Sequence, residues 1–149
     1  MNLSALTETG PRCVHFASVA QVAAFLEHPR DLAVFHLRGA ELRSEAELLA
    51  GLAHAMAFPP WFAYSLDALE GCLRDLAWHP ACGYLLIVWD AETGAPGVLR
   101  RLREAWQRCA PFWHSPDGSD VWSPPRPTPF HLVLVGQEER VFPPSEGGT

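Results

Sequence analysis

No stretch of this 149-residue sequence approaches the roughly 18 consecutive apolar residues of a membrane span, and its opening, MNLSALTETGPRC, has neither the basic region nor the apolar run of an export signal. These absences set the expectation of a soluble, cytoplasmic chain with no membrane partner. Cysteine is scarce. Cys13, Cys72, Cys82 and Cys109 are scattered without a CxxC pair, so reduced, mostly buried thiols are expected rather than a disulfide framework. Positive charge is in deficit, with 11 basic against 17 acidic residues and a formal net charge of −6. That balance disfavours binding along a nucleic-acid backbone and favours fast encounter with a basic partner. A Gly-x-Ser-x-Gly elbow, a glycine-rich phosphate loop and a dinucleotide fingerprint are all missing. His79-x-x-Cys82 and Cys13-x-His15 come nearest to metal-ligand spacing, and neither has the second pair that a zinc site requires. No metal and no cofactor are expected.

What is present suffices for one domain over residues 1–149, since 48% of residues are hydrophobic and 19% charged, enough apolar material for a core. Residues 1–30 read as an N-terminal addition. A loose tail runs to Arg12, Cys13 to Phe16 alternates like an edge strand, and Ser18 and Gln21 have capping-box spacing ahead of a helix that Pro29 stops. Leu32 to Leu37 reads as a buried central strand. Ser44 and Glu47 open a second helix with Leu48, Leu49, Leu52, Ala53 and Met56 at helical spacing. Tyr84 to Trp89 and Phe130 to Val135 read as two further buried strands, separated by a helix through Val98, Leu99, Leu102, Ala105, Trp106 and Cys109. Residues 110–129, rich in proline and holding Trp113 and Trp122, read as a long irregular loop, and residues 137–149 as a flexible tail. The expected fold is α/β, a small parallel three-stranded sheet packed with helices through right-handed crossovers, plus the N-terminal strand–helix element.

The chain is organised around Ala57 to Pro80, where a proline-locked aromatic loop passes into a helix. Ser65 is placed to cap it, and Leu66, Leu69, Cys72, Leu73, Leu76 and Ala77 form its apolar stripe. Asp67, Glu70, Gly71, Arg74 and Trp78 fall on the other side. The surface left outside, with Trp61, Phe62, Tyr64, Asp67 and Glu70, suits protein binding better than catalysis. Each residue also has an ordinary explanation. Asp67 complements the helix macrodipole, Glu70 forms an i,i+4 pair with Arg74, and Glu104 belongs to a charge ladder with Arg100 and Arg108. Gly71 in mid-helix is unfavourable by about 1 kcal/mol relative to alanine, which fits either close approach of a partner or simple tolerance. Asp67 and His79, some twelve residues apart on one helix, stand about 18 Å from each other, too far to act as an acid–base pair.

From about His36 to Pro80 the sequence resembles the barstar family of ribonuclease inhibitors. The resemblance rests on a strand ending at Gly39, Leu42-Arg43-Ser44 at a helix entry, Pro59 before paired aromatics, Leu66-Asp67-Ala68-Leu69, Cys72-Leu73 and Pro80. Val98-Leu99 and Arg103-Glu104-Ala105 are similar to the family's third major helix. The resemblance implies a noncatalytic inhibitor or immunity protein of a toxin–antitoxin kind, which plugs a basic ribonuclease or nuclease toxin in a one-to-one complex. Its carboxylates would stand in for nucleic acid. It also implies contact roles for Asp67 and Glu104 and for the loop aromatics Trp61 and Phe62, with Tyr64, Glu70, Gly71 and Arg74 completing the face. The sequence departs from the family where Gly71 replaces an aspartate and Glu70 a tryptophan. Two other readings stay open: an interaction module that meets a non-nuclease partner through the loop around Trp113 and Trp122, and a small enzyme using histidines and carboxylates.

Overall fold

Two runs that are apolar at nearly every position need cover on both faces, and they become the paired inner strands of a parallel sheet. They are β3 (Gly83–Trp89) and β4 (Phe130–Val135), in a computed structural model that describes residues 3–116, 124 and 126–144. β2 (Leu32–Arg38) flanks β3, and β1 (Val14–Ala17) flanks β4, giving an all-parallel sheet in the order β1-β4-β3-β2. The sheet thus has four strands where three were expected. The N-terminal strand completes it because the outer edge of β4 needs partners: Leu132 N–H donates to the Cys13 carbonyl at 2.8 Å and Gly136 N–H to Ala17 at 3.0 Å. β2 is an edge strand, not a central one. Phe35 and Leu37 are buried while His36 and Arg38 face solvent.

Crossover handedness distributes the helices. The path β2 to β3 to β4 moves one way across the sheet and carries α2 (Glu45–Ala55), α3 (Leu66–Leu73) and α4 (Pro96–His114) on one face. The path β1 to β2 runs back over two strands, so a right-handed connection puts α1 (Val19–Leu26) on the opposite face. Strand parity follows. Leu86, Val88, Leu132 and Leu134 pack under α2 to α4, whereas Leu85, Ile87, Val133 and Val135 pack under α1. A 3-10 turn at Leu3–Thr7 adds Leu3 and Leu6 to that second layer, so the segment read as a loose tail is packed in part.

The caps form where the spacing placed them. Ser18 and Gln21 make a reciprocal box, and Ser44 and Ser65 accept from Glu47 N–H at 3.1 Å and Ala68 N–H at 3.0 Å. Glu47 reaches back to Arg43 N–H at 3.0 Å rather than to the cap's own N–H.

Three boundaries differ from expectation. α3 ends at Leu73 instead of continuing toward His79, because the Trp113 indole N–H takes the Leu73 carbonyl at 2.8 Å and Ala77 N–H turns to the Asp75 carboxylate at 3.3 Å. Leu76 then adopts a left-handed φ of 50°. α4 runs through Pro111 into the segment read as a loop. Pro111 lies on the exposed side of the helix, and the buried Trp113 and His114 anchor the last turn. The C-terminal stretch forms α5 (Glu138–Val141), with Val141 buried and Phe142 edge-on to Phe16. No described helix is long and apolar enough to cross a membrane.

Gly39 closes the turn after β2 directly against the Asp90 carbonyl, and a Cβ there would run into that oxygen. Gly39→Ala is expected to destabilise by at least about 2 kcal/mol, read as a lower urea midpoint at unchanged slope.

Candidate protein-binding face

The loop before α3 is built by two prolines and five aromatics. Phe58 N–H donates to Ala53 at 2.9 Å, and Phe62 N–H donates to Pro59 at 3.0 Å, closing a turn with Pro60 and Trp61 at its tip. Ala57 (φ 53°) and Tyr64 (φ 54°) bound the loop in the left-handed region, a strain of roughly 1–2 kcal/mol per non-glycine residue. Aromatic packing offsets it. Phe58 meets Phe62 at 4.9 Å and Trp78 at 5.8 Å, Trp61 meets Trp78 at 6.3 Å, and Phe62 meets Tyr64 at 4.7 Å. The Trp78 indole N–H donates to Met56 at 3.1 Å. Trp78, assigned by helical spacing to the outer side of α3, is in fact the prop beneath the loop, since the helix ends before it.

Alternate residues of this loop do different work. Phe62 is 5% exposed and plugs the core, while Trp61 and Tyr64 stand 64% and 59% exposed. Of the two aromatics expected at the face, Trp61 is presented and Phe62 supports it. Asp67 lies in the first turn of α3, exposed, with no ion pair or hydrogen bond to its side chain among the described residues.

Glu70 is held instead of free. Its Oε2 is 2.8 Å from Arg108 Nε and its Oε1 3.7 Å from Arg74 Nη1, leaving the side chain 15% exposed. The hydrogen bond to Glu70, reinforced by its charge, holds the Arg108 guanidinium above its ordinary value. Arg108 is the residue that helical spacing missed, 38 positions away on α4. Between these groups lies Cys109, whose thiol donates to the Glu70 carbonyl at 3.7 Å and receives Arg74 Nη1 at 3.7 Å. Burial pushes this thiol up to about 12, which leaves it unreactive. Glu104 is half-buried on α4, one turn before Arg108, on which its charge acts.

Gly71 is exposed, and a Cβ built there meets nothing within 4 Å. Nothing among the described residues requires glycine at this position.

The remaining candidates lie elsewhere. His79 sits in the turn after α3 with its ring edge-on to Phe35 at 5.2 Å, so it does not share a helix with Asp67. His36 is exposed and accepts the Trp89 indole N–H at 3.0 Å, whereas His131 is buried. Trp113, read as part of an irregular loop, is buried and stacks on Phe130. Trp122 lies outside the described residues.

The fold and face together define a parallel α/β protein that displays a rigid aromatic loop and a short capped helix. Residues 32–124 match the model of the family described as Barstar (barnase inhibitor), and the chain belongs to that family. The match begins at the first residue of β2 and excludes β1, α1 and β4. Among solved structures, the chain is similar to one titled Structure of the Aeropyrum Pernix ORC2 protein (ADPNP-ADP complexes), with a TM-score of 0.53 and 13% identity. That likeness covers 93% of this chain and 38% of the other, and it shows the fold alone. No curated protein matches the chain.

Two substitutions check the construction of the face. Trp113→Phe leaves the buried Leu73 carbonyl without its donor and is expected to destabilise by about 1–3 kcal/mol, with amide exchange in α3 accelerating more than in β3. Gly71→Ala, entering open space, is expected to stabilise the free chain by about 1 kcal/mol in denaturant titration.

Proposed function

We propose that the chain is a noncatalytic inhibitor, an immunity protein that binds one ribonuclease or related nuclease toxin and occludes its active site with the loop–α3 face. One observation carries this reading: two exposed aromatics, Trp61 and Tyr64, precede a capped helix on which Asp67 stands exposed without a partner among the described residues. Tryptophan and tyrosine are the side chains that most often anchor interfaces. A free carboxylate on a chain of net charge −6 steers it toward a cationic cleft such as one that holds RNA phosphates. Membership in a family described as barnase inhibitors supports a nuclease as the partner. Because Arg74 and Arg108 hold Glu70, the phosphate-mimicking charge falls on Asp67, with Glu104 as the second carboxylate. Glu70, Gly71 and Arg74 complete the proposed face.

The test is capture of the partner from the native cell, followed by assay of its RNA hydrolysis. Hydrolysis is expected to stop at one equivalent of the wild-type chain. A captured nuclease that keeps its full rate at excess inhibitor overturns the reading. Asp67→Ala is expected to weaken the complex by more than about 1 kcal/mol, chiefly through slower association at low salt, with the fold intact. Unchanged affinity would take Asp67 out of the face.

A further inference from the structure

Three histidines are buried together on the side of the molecule that the N-terminal segment covers, and two of them, His15 and His131, lie outside the residues matched to the family. His15 Nε2 of β1 is 2.9 Å from His131 Nδ1 of β4, and the His114 ring, from the end of α4, lies 4.8 Å from that of His131. Two of the rings also hold the N-terminal segment. His131 Nε2 is 2.7 Å from the Glu8 carbonyl, and His114 Nδ1 is 2.8 Å from the Gly10 carbonyl.

Hydrogen-bond logic places the proton on two of the three rings. A carbonyl only accepts, so His131 Nε2 carries the hydrogen, and its bare Nδ1 then accepts from His15 Nε2–H. His114 is satisfied in either tautomer: Nδ1 faces the Gly10 carbonyl at 2.8 Å and the Gly10 N–H at 3.3 Å, and Nε2 faces the Phe130 N–H at 2.9 Å and the Phe130 carbonyl at 3.0 Å. The network is complete with three neutral imidazoles. A second proton on His131 would set two donors face to face or force the His15 hydrogen from Nε2 to Nδ1. A proton on His15 would meet the charge of Arg12, and the cavity beside His15 is lined by Arg103 of α4 and Glu138 of α5 as well.

We propose that this network is an acid-sensitive latch, which holds residues 3–12 and β1 on the outer edge of β4 at neutral pH and releases them on acidification while β2, β3 and β4 stay paired. The released piece is an edge element, a four-residue strand paired only with β4, and such elements open at less than the global free energy.

The sign follows from which state takes up protons. Burial, reinforced by neighbouring histidines and Arg12, lowers His15 from 6.5 to about 4. Burial also lowers His131 from 6.5 to about 4, against the Glu8 carbonyl, which acts to raise it. Above 6.5 both states are neutral and the latch holds fully. Between 6.5 and about 4 only the released state takes up protons, so closure weakens as pH falls, and below about 4 nothing further is lost. Two such groups raise the opening equilibrium by a factor on the order of 10² between pH 7 and pH 5.

The experiment is amide exchange by NMR on the whole chain, corrected for intrinsic rates, at pH 7 and pH 5. Protection of the Leu132 and Gly136 amides, which donate to β1, is expected to fall about a hundredfold while β3 amides keep theirs. His131→Gln keeps a donor for Glu8 and an acceptor for His15 without titrating there, and is expected to reduce the fall to about tenfold. If that variant does not fold, the ring-nitrogen spectrum of the wild type still decides. Protons are expected on Nε2 of both His15 and His131. Any other tautomer set overturns the latch, as does unchanged protection of Leu132 and Gly136, or their loss in step with β3.

Discussion

An eight-residue helix is too short to persist alone in water, so everything α3 displays depends on α4 beneath it. Trp113 closes the Leu73 carbonyl at one end, Cys109 reaches the Glu70 carbonyl in the middle, and Arg108 grips the Glu70 side chain. Ser65 caps the other end. The loop is fastened by the same logic, through Pro59, Phe62 and Trp78 rather than by its own sequence alone. A face assembled in this way before it meets a partner loses little conformational entropy on binding.

Charge on the face is arranged rather than accumulated. The chain as a whole is acidic, yet at α3 the Asp67 carboxylate has no partner among the described residues and that of Glu70 is paired with two arginines. The Arg108–Glu70 pair is open to solvent on the arginine side and contributes modestly to stability. Its structural effect is larger, because it turns Glu70 along the helix surface toward α4. Gly71 then leaves a bare step one turn after Asp67.

Much of this was legible in the sequence. Strands buried on both faces are continuous apolar runs, and a serine three residues before a free N–H is a cap wherever it occurs, so β3, β4 and the starts of α1, α2 and α3 could be read directly. Relations between distant residues could not. That β2 is an edge and β1 the fourth strand depends on which way each crossover runs. The division between Trp61 outside and Phe62 inside depends on Phe58 and Trp78 beneath them. Pro111 and the prolines after it suggested a break that the buried Trp113 and His114 override. The hold of Arg108 on Glu70, across 38 positions, has no local signal.

The N-terminal addition supplies a second layer under α1 and the fourth strand, on the sheet face opposite α3. Its histidine network therefore acts on an edge remote in the topology from the loop–helix face, and the two regions are separable by measurement. The most direct test of the central claim is an amide-exchange footprint of the chain in complex with its captured nuclease. Protection is expected over residues 57–74 and around Glu104, with β1 and β2 unchanged. Protection confined to residues 110–129 or to the β1 edge, with Trp61 to Arg74 exchanging as in the free chain, would contradict it.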